Sequence, residues 1–253
     1  MGELSIQIAD APLGKTHLIF LGQAGFVLKS KSGKLIAIDL YLSDCVARYD
    51  GFKRLMPFIL RPDEIVFDYI ITTHAHYDHF DPDSIPTLIA DEKTKLFASA
   101  GCEKEVERLG ISSSNISYVK VGDCIDLGDI KIEFVFCDHG DSAPDAFGVV
   151  IEIDGKLAYI AGDTCLRPDK VDEIKCGLDF DIMIAPTNGT FGNMNEAESA
   201  ELCRGIKPKL MIPCHFGCFA EQWGNPLKFI EVMEAELPDQ KYNLMRIGEQ
   251  IEI

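Results

Sequence analysis

The sequence has no long hydrophobic run, no C-x-x-C pair and a shortage of basic residues, and each absence removes a class of protein. The longest apolar stretches, such as residues 147–151, fall far short of the roughly 20 residues that span a bilayer, so no membrane partner is expected. The first 15 residues carry Glu3 and Asp10 and no apolar core, so they do not read as a secretory leader, and a cytoplasmic location is expected. Nine cysteines in scattered positions, several within apolar runs, read as thiols of a reducing compartment rather than a disulfide framework. Lys and Arg number 24 against 41 Asp and Glu, a formal net charge of −17. Such a surface repels a phosphate backbone, which excludes a nucleic acid polymer as partner. Lys93 with Lys95 and Lys207 with Lys209 are pairs, not basic stripes. No linker, low-complexity block or internal repeat divides the chain, so residues 1–253 are expected to form one domain. Its oligomeric state is not encoded in any pattern of this kind.

What is present is ordinary globular composition, 47% hydrophobic and 26% charged. Residues 16–29 and 35–40 read as strands joined by a turn at Ser32-Gly33. Residues 65–73 form a short apolar, β-branched run, the pattern of a buried strand. Further strands are expected at 95–100, 116–121, 129–137 and 147–161, the last broken by a tight turn at Asp154-Gly155. Helices are expected at 83–90 and 103–109, while 41–64, with Pro57 and Pro62, reads as irregular. Beyond Pro168 helices and strands alternate: helix 168–176, strand 181–186, a helix from Asn195, strand 209–213, helix 226–237 and a final strand 243–253. Asn195 with Glu198 matches a capping box with Asn in the usual Ser/Thr place. Two strand-rich groups interleaved with helices predict two sheets with helices outside.

Histidine is scarce, six in the chain, yet three fall in one hexapeptide, His74-Ala75-His76-Tyr77-Asp78-His79. A buried strand ends and releases three imidazoles and a carboxylate at once. Burying them all unpaired is costly, whereas imidazole and carboxylate together suit Zn²⁺, Mn²⁺ or Fe²⁺. His74 and His76, two apart on a strand exit, can share an ion, and Asp78 and His79 are placed for a neighbouring one. Three more ligand types leave apolar runs: His139, Asp163 and His215. Strand ends are where open sheets collect site residues. Seven ligands are the complement that two divalent ions with one bridging carboxylate use. The remaining imidazole, His17, starts a strand and is assigned no such role.

The series His74-x-His76-x-Asp78-His79, then His139, Asp163 in Gly162-Asp163-Thr164, and His215, resembles the ligand series of the metallo-β-lactamase superfamily. The resemblance implies a four-layer α/β fold, an αββα sandwich with the metals at one edge. It implies that His74, His76 and His139 hold one ion, that Asp78, His79 and His215 hold the other, and that Asp163 bridges them together with a water or hydroxide. Asp39 matches an acidic position that supports the site. His76 stands where the redox di-iron members carry Glu, and Asp163 where true zinc β-lactamases typically carry Cys. Both differences point towards other hydrolases. The stretches 21–26, 38–44, 192–195 and 212–217 resemble the L-ascorbate-6-phosphate lactonase-like branch, with Leu40 in place of that branch's proline.

The expected chemistry is hydrolysis of a small-molecule substrate, a lactone and potentially a sugar-phosphate lactone, by a metal-bound bridging hydroxide. Asp78 is the residue for acid–base work. A phosphodiesterase acting on a cyclic or small nucleotide and a non-catalytic metal-binding module are the competing readings. For substrate contacts, Arg167 is either an anion-holding side chain or a surface residue beside Pro168. Asn188 either donates to substrate or serves its own turn, and Tyr77 either enters the pocket or packs beneath the loop. Cys214 and Cys218 have the wrong spacing for a zinc ribbon and read as packed thiols.

Overall fold

Hydrophobic runs that are buried on both faces set the strands of this protein, whose computed structural model describes residues 2–253. Two units emerge, residues 2–120 with Arg246–Ile253, and Val121–Met245.

The first unit opens on a helix, α1 (Glu3–Asp10), whose Leu4 and Ile8 enter the core. Seven strands follow: β1 (His17–Gly22), β2 (Gly25–Lys29), β3 (Leu35–Ile38), β4 (Tyr69–Thr72), β5 (Lys95–Ser99), β6 (Ile116–Val119) and, from the C-terminus, β13 (Gln250–Glu252). They form one mixed sheet in the order β13-β1-β2-β3-β4-β5-β6. The β13/β1, β1/β2 and β2/β3 pairs are antiparallel; β3 through β6 run parallel. Parallel strands need crossovers, and the helices α2 (Cys45–Tyr49), α3 (Ile85–Leu88) and α4 (Glu103–Leu109) lie in them. The Lys29 ammonium, 4% exposed, donates to the carbonyls of Ile8, Ala9 and Ala11 at 2.9, 2.7 and 2.9 Å. It thereby satisfies orphaned C-terminal carbonyls of α1 and meets the negative end of the helix dipole.

The second unit holds β7 (Cys124–Asp126), β8 (Ile130–Val135), β9 (Gly148–Ile153), β10 (Lys156–Ile160), β11 (Ile182–Pro186) and β12 (Leu210–Cys214). Their order is β12-β11-β10-β9-β8-β7, with β10, β11 and β12 parallel and the rest antiparallel. The helices α5 (Val171–Lys175), α6 (Glu196–Ile206) and α7 (Pro226–Glu236) supply Ile174, Leu202, Ile206, Phe229 and Met233 to this unit's core. The expected capping box closes the start of α6: Glu198 N–H donates to Asn195 Oδ1 at 3.0 Å and Asn195 N–H to Glu198 Oε2 at 2.9 Å. No helix among the described residues is long and apolar enough to cross a membrane.

The protein is thus α/β, with two mixed sheets and helices, as its sequence predicts. Several elements differ from the sequence pattern. Residues 16–29 are two strands, because Gly22 at φ 96° and Gln23 at φ 54° turn the chain. The final strand covers only Gln250–Glu252: Gly248 at φ 79° and a turn from Glu249 N–H to the Arg246 carbonyl interrupt the segment before it. Within the irregular stretch 41–64 the helix α2 forms, burying Cys45 and Val46. The strand β7 and the helix α1 also formed without being predicted. None of the nine cysteines is in a disulfide, and Cys45, Cys102, Cys203, Cys214 and Cys218 are buried.

Candidate metal centre

In the first unit, β1, β3 and β4 run in the same direction, so residues following each of them emerge at one edge of the sheet. Those residues are Gln23, Asp39 and the segment from Thr73 to His79. Asp39 is 1% exposed and adopts φ 47°, a left-handed backbone rare outside glycine that swings its carboxylate across the edge. Its Oδ1 accepts from Thr73 N–H at 2.8 Å. Its Oδ2 accepts from the Thr73 hydroxyl at 2.7 Å and from His79 Nδ1 at 2.8 Å.

This carboxylate sets two tautomers. A carboxylate only accepts, so His79 carries its proton on Nδ1 and presents the lone pair of Nε2. The Thr73 hydroxyl gives its proton to Asp39, so its oxygen accepts from His74 Nδ1, 3.1 Å away, and His74 likewise presents Nε2. That Nε2 lies 3.0 Å from Nδ1 of His76. Two nitrogens of a tetrahedral ion, each bonded at ~2.0–2.1 Å, sit about 3.3 Å apart, so the pair is spaced to share a cation. Asp78 Oδ2 is 3.8 Å from His79 Nε2 and accepts from Gln23 Nε2 at 2.8 Å. Four candidate ligands lie on this segment, held by Thr73 beside them and by Asp39 and Gln23 from neighbouring strand ends.

In the second unit, β8, β10, β11 and β12 share a direction and release His139, Asp163, Asn188 and His215 at one edge. Asp163 Oδ2 lies 3.0 Å from His215 Nε2 and 3.8 Å from His139 Nε2, and it accepts from Asn193 Nδ2 at 2.8 Å. All three ligand types are buried. Backbone stitches fix the strand ends: Cys165 N–H donates to the Asp138 carbonyl at 2.9 Å, Asp138 N–H to Thr164 Oγ1 at 2.9 Å, and Cys137 Sγ to the Asp163 carbonyl at 3.0 Å. His215 adopts φ 64°. Among the described residues seven non-glycine residues have positive φ, and four of them, Gln23, Asp39, Phe191 and His215, follow β1, β3, β11 and β12, strands that end at the edges where these clusters lie. Strained backbone at such density marks function. Imidazole and carboxylate groups of this kind are able to hold a metal ion.

The other candidate contacts are placed as follows. Arg167 donates to Asp138 Oδ2 at 2.7 Å and to both oxygens of Asp169 at 3.1 and 3.0 Å, and these pairings raise its pKa. Tyr77 packs against Tyr49 with the rings tilted by 41° and their centroids 4.5 Å apart, and burial pushes its phenol above the ordinary value. Asn188, 1% exposed, donates from Nδ2 to Thr190 Oγ1 at 3.1 Å. His17, the first residue of β1, has Nε2 3.0 Å from the Pro12 carbonyl and belongs to neither cluster. Gln23, Thr73 and Asn193 are the supporting residues that ligand spacing alone did not single out. Their signals were a polar residue in the tight turn 22–25, the residue preceding the first His, and the Gly192-Asn193 turn.

Residues 40–216 match the model of the beta-lactamase superfamily domain. The chain belongs to the metallo-β-lactamase superfamily. A UPF0173 metal-dependent hydrolase of Saccharolobus solfataricus is 32% identical over 207 residues, covering 79% of this chain and 84% of that protein. One of Polynucleobacter asymbioticus is 28% identical over 252 residues, covering 88% and 86%. Among solved structures, the metallo hydrolase Igni18 of Ignicoccus hospitalis superposes with a TM-score of 0.73 over 94% of this chain and 98% of that one, at 21% identity. The superfamily fold is therefore shared across nearly the whole chain. All seven candidate ligands lie within the matched span.

Proposed function

We propose that this superfamily member is a metal-dependent hydrolase in which His74, His76, Asp78 and His79 act together with His139, Asp163 and His215 to hold two divalent ions. We assign His74, His76 and His139 to one, Asp78, His79 and His215 to the other, and Asp163 to both. The observation that carries the reading is the support behind the ligands. Asp39 fixes the tautomers of His74 and His79, Gln23 holds Asp78, and Asn193 holds Asp163. Supporting partners of this kind orient metal ligands and are wasted on a merely packed histidine. The names of the similar proteins, metal-dependent hydrolases, agree with it.

When bound, divalent ions supply the acidity that makes water a nucleophile near neutral pH and polarise the attacked oxygen. The chain's residues do the rest. The Asp78 carboxylate, steadied by the Gln23 amide, accepts the proton of the attacking water and returns it to the leaving oxygen. The Asp39–His79 and Asp39–Thr73–His74 chains engage Nδ1 of both imidazoles and leave Nε2 of each as the atom that can bind a cation.

The substrate class we propose is a small lactone, whose ring opening leaves the new hydroxyl and the carboxylate in one product molecule. Acidic net charge supports a neutral carbonyl over a phosphodiester. Protein loaded with Zn²⁺ or Mn²⁺ is assayed on a panel of lactones and on bis-p-nitrophenyl phosphate. Lactone turnover, abolished in Asp78→Ala, is the expected result. Turnover of the phosphodiester alone assigns the chain to the phosphodiesterases instead, and turnover of neither leaves a binding module.

A further inference from the structure

The turn from Thr190 to Met194 does two unrelated things at once. It is closed by Asn193 N–H to the Thr190 carbonyl at 3.0 Å, and tied to its surroundings by Gly189 N–H to the Met194 carbonyl at 3.0 Å and Met194 N–H to the Thr164 carbonyl at 2.9 Å. Asn193 reaches Asp163, and a Cβ on Gly192 would lie 3.6 Å from Nδ1 of His139, so the turn lies directly against two ligands of the second unit. Yet the residue just before them, Phe191, is 56% exposed and adopts φ 54°. A bulky aromatic in the left-handed region is a true outlier, costing of order 1–3 kcal/mol, and such strain persists where it serves a site.

A second exposed aromatic sits on a loop that packs against Asn188, just before this turn. Trp223, the chain's single tryptophan, is 77% exposed. Its neighbour Gly224 packs so closely that a Cβ there would fall 3.2 Å from the Asn188 Cα and 2.6 Å from the Phe216 Cβ. Asn188 is also the residue whose amide holds Thr190. Both aromatic-bearing loops are therefore anchored at Asn188, between the strand ends that release Asp163 and His215.

We infer that Phe191 and Trp223 form an apolar lip that binds the non-reacting part of the substrate, which is an alkyl or aryl group rather than a sugar phosphate. The inference rests on the hydrolase reading above for its substrate, a lactone bearing such a group. The charge pattern supports it. Arg167, on the strand-exit segment that follows Asp163, has its guanidinium taken by Asp138 and Asp169, where a phosphate-binding arginine would be kept for the ligand.

The test is a binding series that does not depend on turnover. Acetate, butyrate, hexanoate and phenylacetate, product-like acids of growing apolar content, are titrated calorimetrically into zinc-loaded protein. Affinity is expected to rise about two- to fourfold per added methylene, the range for partial burial of a CH₂. Phe191→Asn removes the ring while suiting the left-handed backbone, and it is expected to flatten most of that gradient; W223A flattens part of it, and F191Y retains it. Equal affinity across the series in the wild type, no binding of any acid, or an undiminished gradient in the F191N W223A double variant overturns the inference. A steep gradient in a protein that turns over neither lactones nor phosphodiesters leaves the lip standing and refutes the hydrolase reading.

Discussion

Nδ1 of His79 lies 2.8 Å from the Asp39 carboxylate, which also receives Thr73 and, through it, governs His74. One buried acid, itself no proposed ligand, thus sets the proton positions of two imidazoles. Asp39→Ala is expected to weaken metal binding by about 10- to 100-fold, as loss of such a partner does elsewhere, with D39N weakening it less. Competition against a chromophoric chelator measures it. Unchanged affinity in D39A would show that the imidazoles need no orienting acid.

Asn193 plays the corresponding part for Asp163 in the second unit, from 2.8 Å. N193A is expected to lose roughly tenfold or more in metal affinity while N193D, which faces Asp163 with a like charge, loses more. If the two variants match the wild type in the same competition, the Asn193 contact is packing and nothing else.

Lys29 tests the fold rather than the site. Burial pushes its ammonium pKa down, yet the carbonyls of Ile8 and Ala9 in α1 and of Ala11 just after it accept from it. Lys29→Met keeps the volume and removes the donors, and is expected to cost about 2–3 kcal/mol in chemical denaturation. A cost below about 0.5 kcal/mol would mean that water replaces the ammonium at the helix end.

The Arg167 guanidinium holds the Asp138 carboxyl below its ordinary value of 3.8. A carboxylate with a depressed folded pKa contributes stability above its unfolded value, and that contribution fades as pH falls through the lower folded one. Asp138→Asn is therefore expected to be less stable than wild type at pH 6, with the gap closing as the pH falls below about 4. Urea titrations across that range measure the gap. A gap that stays constant with pH assigns the effect to geometry.

How far the sequence reveals this protein depends on whether a feature is local. The seven candidate ligands stand out because imidazole is rare here and leaves apolar runs at strand ends. The α6 capping box and the helix 103–109 are likewise short-range patterns, and both form as read. The supporting residues are different. Asp39 stands out only through the family resemblance; it and Gln23 reach partners 40 and 55 residues away, and the shared direction of β1, β3 and β4 brings them to one edge. The short final strand was over-read because its apolar residues continue past a glycine that bends the backbone. The helix α1 owes its position to Lys29 and the core beneath it, which no periodicity in eight residues announces.

The most direct test of the proposed centre is the metal content of purified protein, by elemental mass spectrometry, for wild type and Asp163→Ala. Wild type is predicted to retain about two equivalents of divalent metal per chain. D163A, lacking the carboxylate proposed to serve both ions, is predicted to retain less than one while staying folded. Well-folded wild type with no tightly held metal, or D163A with an undiminished two equivalents, would contradict the account.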